Sequence, residues 1–374
     1  MRASSQGPWA TIERINRREF VRRAGALGAV ALAAPALAAE SLTKTAPTAK
    51  HLPRWRGFNL LEKFIKWQGR NPAYQENDLA WMHDWGFDFA RLPMSYLCWT
   101  EAGDWLKIRE EELKDLDEVA RLGEKHRVHI NFNLHRAPGY CVNPPKESLD
   151  LWTDAKALDA CAYHWAMLAK RFKGLSNERV SFDLLNEPAD ISEATYVRVV
   201  KHLVAAIRAE DPNRLIIADG LRWGRDPVHG LVDLGVAQST RGYDPMQVSH
   251  FKANWVKGSD QWPEPAWPLP RNGKPALDKE GLRKDRIEPW KKLEAEGVGI
   301  HVGEWGSFNR TPHAVTLQWM EDWLQLWKAA GWGWAVWNLR GAFGMVDSER
   351  SDVKYEDFHG HKLDRAMLEL LQRY

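Results

Sequence analysis

The amino-acid sequence predicts an α/β fold, a single-domain (β/α)8 TIM barrel. From Trp55 to the C-terminus, short apolar runs alternate with longer stretches of helical periodicity, which is the pattern of parallel strands joined by crossover helices. We count eight such runs, the number that closes this barrel, and no break in composition divides them. An open, doubly wound sheet is the alternative architecture for the same pattern.

The predicted strands and helices follow one another in regular order. The strand candidates are Arg56–Leu60, Phe87–Leu92, His129–Leu134, Val180–Leu185, Leu215–Ala218, Gln247–Phe251, Gly299–Val302 and Gly333–Asn338. The clearest helix candidates are Glu110–His126, Ala155–Phe172, Ile191–Ala209 and Pro312–Ala329, and a last one over Leu363–Gln372 would close the ring. Residues 252–285, rich in Pro and Trp, are predicted to form a long loop after strand six that caps the barrel mouth.

The first residues of the chain are similar to a twin-arginine export signal. Arg17 and Arg18 precede a short apolar run at 24–37, which is too short to span a membrane, and Ala36 to Ala38 form a small-x-small cleavage site. We therefore expect an export signal at 1–38, a flexible leader at 39–51 and the barrel domain at 52–374. The mature protein should be periplasmic or extracellular, without stable membrane insertion. An uncleaved membrane anchor is the alternative.

The composition excludes several classes of partner. A net charge of +2 favours neither nucleic acid nor an anionic membrane as a partner. We also expect the protein to be a monomer. The three cysteines indicate no disulfide framework, and their spacing matches no zinc site, so we predict no metal and no cofactor. The 21 tryptophans are many for core packing alone. As a set they favour a cleft in which sugar rings stack on indole rings, and a Trp-rich core is the alternative.

Two glutamates stand at the ends of predicted strands. Glu187 follows strand four and Glu304 ends strand seven, each before a Pro or Gly turn. In barrels of this kind the working residues lie at the carboxyl ends of the strands, where a buried carboxylate without a role is unfavourable. A carboxylic acid facing a carboxylate is what retaining glycoside hydrolysis requires. The alternative is that each glutamate forms an ordinary salt bridge at the barrel rim.

Five short motifs extend this pattern along the chain. They are Arg91-Leu92-Pro93, Leu134-His135-Arg136-Ala137-Pro138-Gly139, Asn186-Glu187-Pro188, Gly303-Glu304-Trp305-Gly306 and Trp337-Asn338. With these motifs in order, the sequence resembles glycoside hydrolase family 5, the cellulase family, from about Trp55 to the C-terminus. The Asn-Glu-Pro motif is the most specific of the five.

The resemblance implies a double-displacement mechanism. Glu187 corresponds to the general acid/base, and a second carboxylate nearby should raise its pKa. Glu304 corresponds to the nucleophile, and Arg91 should lie beside it and hold it ionised. Asn186 corresponds to the residue that donates a hydrogen bond to the sugar 2-hydroxyl.

The resemblance also implies side chains that bind the substrate. His135 should bind a hydroxyl of the sugar in subsite −1, and Trp337 should form the floor beneath that sugar. His250, at the end of predicted strand six, would lie near the glutamates. Trp255 and Trp262, in the loop after it, would line subsites away from the cleaved bond, unless they pack into a loop core.

Predicted strand six departs from the family pattern. Many members carry His-x-Tyr there, and the tyrosine hydrogen-bonds the nucleophile, whereas this chain has His250-Phe251-Lys252. Either Tyr243 or a loop residue substitutes, or the strand has a different geometry. On the other side of the cleft, Trp99 and Trp105 could provide further stacking surfaces, with a packed loop core as the alternative.

These features together predict a retaining hydrolase of β-linked glucan, with β-1,4-glucan as the first choice of polysaccharide or oligosaccharide substrate. A β-1,3- or β-1,6-glucanase, an exo-β-glucosidase, a β-mannanase and a transglycosylase would use the same machinery. An alternative of a different class is a carbohydrate-binding barrel without catalysis. The presence of both glutamates with Arg91 and Asn186 argues against it.

Overall fold

Eight parallel strands form a closed barrel, as the sequence predicts. The computed structural model describes residues 46–374, so the predicted export signal lies outside the described residues. The barrel strands are β1 Arg56–Asn59, β2 Phe89–Ser95, β3 His129–Ala137, β4 Val180–Asp183, β5 Ile216–Asp219, β6 Ala237–Gly242, β7 Ile300–Trp305 and β8 Gly333–Val336. Each strand pairs in parallel with the next, and β1 pairs with both β2 and β8, which closes the sheet.

Helices cover the outside of the barrel. They are α1 Glu76–Asp84, α2 Glu110–His126, α3 Ala155–Arg171, α4 Glu193–Glu210, α5 Glu288–Ala295, α6 His313–Ala330 and α7 Arg365–Arg373. Shorter helical segments lie at Tyr96–Cys98, Leu221–Gly224, His229–Leu234, Met246–Ser249, Ser259–Gln261, Lys279–Leu282 and Arg283–Ile287. The predicted helices are present with small shifts in their bounds, whereas α1 and α5 were not predicted.

Three small hairpins extend the loops between these elements. They pair Thr100–Glu101 with Asp104–Ile108, Leu269–Arg271 with Lys274–Leu277, and Glu356–Phe358 with His361–Leu363. The second of them lies in the predicted loop at 252–285. That stretch is therefore partly ordered as strands rather than being a loop throughout.

The prediction of the sixth strand at Gln247–Phe251 is wrong. The strand lies at Ala237–Gly242, and residues 246–249 form a helical turn. The side chains of Gln238, Ser239, Thr240 and Arg241 in β6 are polar and nevertheless buried. Gln238 and Thr240 bond to the backbone of the segment between β5 and β6, and Arg241 bonds to Ser239. Because its buried side chains are polar, the strand lacks the apolar pattern by which a buried strand is recognised.

Many of the tryptophan side chains lie in the hydrophobic core. Those less than 2% exposed are Trp99, Trp165, Trp290, Trp305, Trp319, Trp323, Trp327, Trp332 and Trp334. Trp323 stacks on Trp327 with ring centroids 4.9 Å apart, and Trp305 meets Trp327 edge to face at 4.7 Å. The indole of Trp99 donates to His164 at 3.1 Å. Since Trp99 is buried, it cannot stack on a sugar, contrary to expectation, and Trp105 packs against the same core.

The first described residues contact the amino-terminal side of the barrel. The backbone N–H of Gly299 donates to the carbonyl of Ala49 at 2.7 Å, so the end of the predicted leader packs against the chain just before β7. Among the residues from 46 onward, no helix is long and apolar enough to cross a bilayer.

The packing of α6 makes a prediction for stability. Replacing Trp323, which is 1% exposed, in Trp323→Ala should lower the free energy of unfolding by about 3–5 kcal/mol, because it removes a large buried ring and leaves a cavity. The matched control is Trp67→Ala, because Trp67 is 54% exposed and its loss should change stability by no more than about 0.5 kcal/mol. Urea unfolding followed by circular dichroism measures both, and equal losses would contradict the packing described.

Candidate active site

A cavity of about 610 Å³ opens at the carboxyl ends of the barrel strands. This is the end of the fold at which TIM-barrel enzymes hold their active sites, and the volume suits a small ligand. Its lining contains residues that the sequence analysis singled out, namely Glu187, Glu304, His135, His250, Trp255 and Trp337. Arg91 and Asn186 are buried, and Arg91 donates hydrogen bonds to both Glu304 and Asn186. Trp262 does not belong to the lining.

Glu304 accepts hydrogen bonds from three side chains, of which Arg241 Nη2 is the most distant at 3.5 Å. The register of β7 shifts between Val302 and Glu304, an irregularity of the kind that re-aims a side chain. One carboxylate oxygen of Glu304 accepts a hydrogen bond from Arg91 Nη1 at 2.5 Å, and the other accepts one from the Tyr243 hydroxyl at 3.2 Å. Of the options left open by the sequence, Tyr243 is thus the group that reaches Glu304. A charge-assisted bond of this kind favours the carboxylate form.

Arg91 is the centre of a buried network. Its Nε donates to Asp183 at 2.7 Å, and its other nitrogens donate to Asn59 at 3.1 Å and Asn186 at 2.8 Å. Burial and the neighbouring charge of Asp219 raise the pKa of Asp183 to about 7, against the effect of Arg91. The guanidinium is therefore fixed in position by partners on β1, β4 and the segment after β4.

Glycine at position 303 makes room for this network. A Cβ atom there would lie 2.5 Å from the Ser239 hydroxyl and 2.8 Å from Arg241 Nη1. Both distances are shorter than a carbon atom can approach, so any side chain at position 303 would displace the arginine next to the two glutamates. This close approach explains why a glycine precedes Glu304 in the Gly303-Glu304-Trp305-Gly306 motif.

Glu187 is presented to the cavity by an uncommon backbone conformation. Its φ angle is +50°, in the left-handed region that non-glycine residues seldom adopt. Three bonds hold it there: its N–H donates to Asp219 at 2.8 Å, its carbonyl accepts from the Tyr140 hydroxyl at 2.6 Å, and its carboxylate accepts from Arg241 Nε at 3.2 Å. The side chain is 16% exposed, so a ligand in the cavity can reach it.

The environments of the two glutamates differ in a way that assigns them different protonation states. Burial, followed by the negative charge of Glu304, raises the pKa of Glu187 to about 8, against the effect of Arg241. Glu187 is therefore mostly protonated at neutral pH, while Glu304 binds the cation of Arg91. A neutral acid beside a carboxylate is the pattern by which acid and nucleophile roles are separated.

Asn186 offers a free donor to a ligand. Its side-chain oxygen accepts hydrogen bonds from Arg91 at 2.8 Å and from Arg241 at 3.0 Å, which fixes the orientation of the amide. Its Nδ2 is buried and has no partner in the part of the chain that the structure describes. Because buried donors are almost always satisfied, this nitrogen is placed to bond to a group that enters the cavity.

Aromatic rings form the two walls of the cavity. On one side, His135 packs edge to face on Phe64 at 4.4 Å, and Phe64 meets Trp337 at 5.3 Å. Burial, followed by the positive charges of Arg91 and Arg241, holds the pKa of His135 well below its usual range, so that its ring is neutral.

The other wall contains His250, Trp255 and Phe343, with the ring of His250 6.1 Å from that of Trp255. Burial lowers the pKa of His250 to about 4. His250 does not lie at the end of a strand as predicted, because it follows the helical turn at 246–249. It reaches the cavity from the segment after β6. Within residues 46–374, no group of three His, Cys, Asp or Glu side chains is placed to hold a metal ion.

The model of the family described as "Cellulase (glycosyl hydrolase family 5)" matches residues 44–342 of the chain. The chain belongs to glycosyl hydrolase family 5. It is therefore a glycoside hydrolase that acts on O-glycosyl bonds. The family match and the closed barrel confirm the resemblance that the sequence motifs indicated.

Relatives of this family 5 hydrolase include enzymes with named activities. The endoglucanase C of Acetivibrio thermocellus is 26% identical over 306 residues, which cover 75% of this chain and 88% of that protein. A solved structure described as a glycoside hydrolase is 37% identical, with a TM-score of 0.81 over 86% of this chain and 99% of that one. The Cel5A of Thermotoga maritima in complex with mannotriose shares the fold, with 20% identity and a TM-score of 0.69 over 86% and 98% of the two chains.

Sequence reasoning missed several residues of the family 5 site. Arg241 and Asp219 form a buried ion pair beside both glutamates, and Asp183 and Asn59 hold Arg91. A usable signal existed for Arg241, because Arg241-Gly242-Tyr243 keeps the spacing of His-x-Tyr in the family. Trp223 after β5 was also missed. It lines the cavity, is 44% exposed and has a φ angle of +61°.

The cause assigned to the raised pKa of Glu187 can be tested directly. In Glu304→Gln the neighbouring negative charge is removed, so the pKa of Glu187 should fall by about one unit or more. Carbon-13 NMR of side-chain-labelled glutamate follows the titration. Glu62 is an internal control, since burial raises its pKa to about 7 and Glu304 is not among its charged neighbours. An unchanged pKa of Glu187, or an equal shift of Glu62, would contradict the coupling.

Proposed function

We propose that this family 5 hydrolase is a retaining enzyme that cleaves β-linked glucan, with Glu187 as general acid/base and Glu304 as nucleophile. The observation that carries the proposal is the pair of carboxyl groups lining one cavity in opposite electrostatic environments. Glu304 is ion-paired with Arg91 at 2.5 Å, whereas Glu187 has a pKa of about 8 and holds its proton.

The proposed reaction has two steps. Glu304 attacks the anomeric carbon while Glu187 gives its proton to the departing oxygen, and a covalent glycosyl-enzyme results. In the second step Glu187, now a carboxylate, takes a proton from water, whose oxygen displaces Glu304 from the sugar. The free Nδ2 of Asn186 supplies a hydrogen bond to the 2-hydroxyl, a contact that strengthens in the transition state.

As the substrate we propose a chain of β-linked glucose units, with the β-1,4 linkage as the first choice. Trp223 and Trp255 line the cavity with 44% and 54% of their surfaces exposed, and exposed indole rings offer flat faces to successive sugars. The name of the relative from Acetivibrio thermocellus, an endoglucanase, points to the same substrate class. Hydrolysis of a panel of β-1,4-, β-1,3- and β-1,6-glucan and β-mannan, with the products sized by chromatography, tests this choice.

The stereochemical course tests the retaining mechanism. Proton NMR of the first product should show the β anomer before mutarotation, because two displacements at one carbon restore its configuration. Initial release of the α anomer would mean a single displacement and would exclude Glu304 as nucleophile.

The acid role of Glu187 predicts a dependence on the leaving group. Glu187→Ala should lower the rate about 10²- to 10⁴-fold on a substrate whose leaving oxygen needs a proton. The loss in the bond-cleavage step should be much smaller with 2,4-dinitrophenolate as the leaving group, which departs without one. Parallel assays of wild type and Glu187→Ala on both substrates measure the two losses of rate, and equal losses would contradict the assignment.

We also propose that the enzyme is exported in folded form to the periplasm or the outside of a bacterium. The paired Arg17 and Arg18 ahead of an apolar run support this proposal. The double substitution Arg17→Lys with Arg18→Lys should trap the precursor in the cytoplasm, whereas Arg22→Lys with Arg23→Lys, outside the pair, should not. Fractionation and immunoblotting follow the outcome, and normal export of the first variant would refute the proposal.

A further inference from the structure

Arg241, at the end of β6, touches both of the proposed catalytic glutamates. Its Nε lies 3.2 Å from a carboxylate oxygen of Glu187, and its Nη2 lies 3.5 Å from one of Glu304. Many family members have a histidine two residues before the tyrosine of this strand. In this chain a permanently charged guanidinium occupies that place.

Asp219 holds the guanidinium of Arg241 in place. Its two oxygens accept hydrogen bonds from Nη1 and Nη2 of Arg241, the first at 3.0 Å, and both side chains are buried. Asp219 also accepts the backbone N–H of Glu187 at 2.8 Å. A two-pronged bond of this kind sets both the position and the plane of an arginine. The orientation of Arg241 therefore does not depend on the charge of either glutamate.

The negative charge moves between the two glutamates during the proposed reaction. In the free enzyme it lies on Glu304, where Arg91 and Tyr243 also stabilise it. When Glu304 forms its bond to the anomeric carbon, the electron pair of the broken glycosidic bond leaves with the aglycone oxygen, which takes the proton of Glu187. The charge then lies on Glu187. Among residues 46–374, Arg241 is the one cationic side chain within 4.0 Å of that carboxylate.

We propose that Arg241, anchored by Asp219, is a positioning residue whose main effect is on the second half-reaction. This inference rests on the retaining mechanism proposed above. In that step Glu187 takes a proton from water, the water oxygen bonds to the anomeric carbon, and the electron pair of the ester bond returns to Glu304. Arg241 orients the Glu187 carboxylate and stabilises its charge while it waits to act as a base. The positive charge of Arg241 also lowers the pKa of Glu187, against burial.

The test separates the two half-reactions. The variant is Arg241→Gln combined with Asp219→Asn, which removes the cation and its counter-charge together, so that no unpaired carboxylate is left buried. The substrate is 2,4-dinitrophenyl β-cellobioside, whose leaving group needs no proton. Stopped-flow absorbance should show a burst of about one dinitrophenolate per active site, at a rate that falls less than the steady rate does. The steady rate after the burst should fall about tenfold or more, the effect expected from losing one hydrogen bond to a charged group.

Azide provides a readout that a merely structural role would not move. As a nucleophile that needs no base, it should raise the steady rate of the double variant and leave the wild type nearly unchanged. Asp219→Asn alone, which frees the guanidinium and keeps its charge, should give the same pattern with a smaller loss. Arg214→Gln removes another buried arginine, paired with Asp211 at 2.8 Å, and should lower the melting temperature without changing the burst or the azide response.

Three results have separate meanings. Equal loss in the burst and the steady rate, without an effect of azide, would overturn the inference and leave the proposed function standing. A wild type that forms α product and no covalent intermediate would refute the retaining mechanism itself. A slow steady phase that azide relieves, in the double variant and in Asp219→Asn, supports the inference.

Discussion

The buried ion pair between Arg91 and Glu304 is the interaction on which the rest of the active site depends. A charge that is removed from water is stable only if it is paired and fully hydrogen-bonded. Arg91 achieves this through Asp183, Asn59 and Asn186 as well as Glu304. These partners come from β1, β4, the segment after β4 and β7, which the closed barrel brings around one guanidinium. Removing Arg91 would leave Asp183 buried without its ion-pair partner and Glu304 with only the longer ion pair to Arg241.

The protonation of Glu187 depends in part on this pair. Burial is the first cause of the raised pKa of Glu187, and the negative charge of Glu304 in the same cavity is the second. Arg241 limits the rise without abolishing it. The two arginines therefore have different roles. Arg91 stabilises the negative charge of Glu304 in the resting enzyme, and Arg241 is placed to stabilise that charge once it lies on Glu187.

The sequence revealed those features that follow from local pattern. Strands with apolar side chains were placed within a few residues, and Glu187 and Glu304 were recognised because they stand at strand ends. The sixth strand was misplaced because its buried side chains are polar and find hydrogen-bond partners that the local sequence does not reveal. Asp183 and Asp219 were missed for the same physical reason, since their partners are distant in the chain. The high tryptophan content was only in part a sign of a sugar-binding cleft, because Trp323 and Trp327, among others, pack in the core between α6 and the barrel.

The crystal structure of the enzyme inactivated with a 2-deoxy-2-fluoro-β-cellobioside tests the central claim most directly. The account predicts a covalent bond between the anomeric carbon and the carboxylate of Glu304, with the carboxyl groups of Glu187 and Glu304 about 5–5.5 Å apart. The fluorine should lie next to Nδ2 of Asn186. A label on any other side chain, or a separation of the two groups by about 6.5–9.5 Å with a water molecule between them, would contradict it.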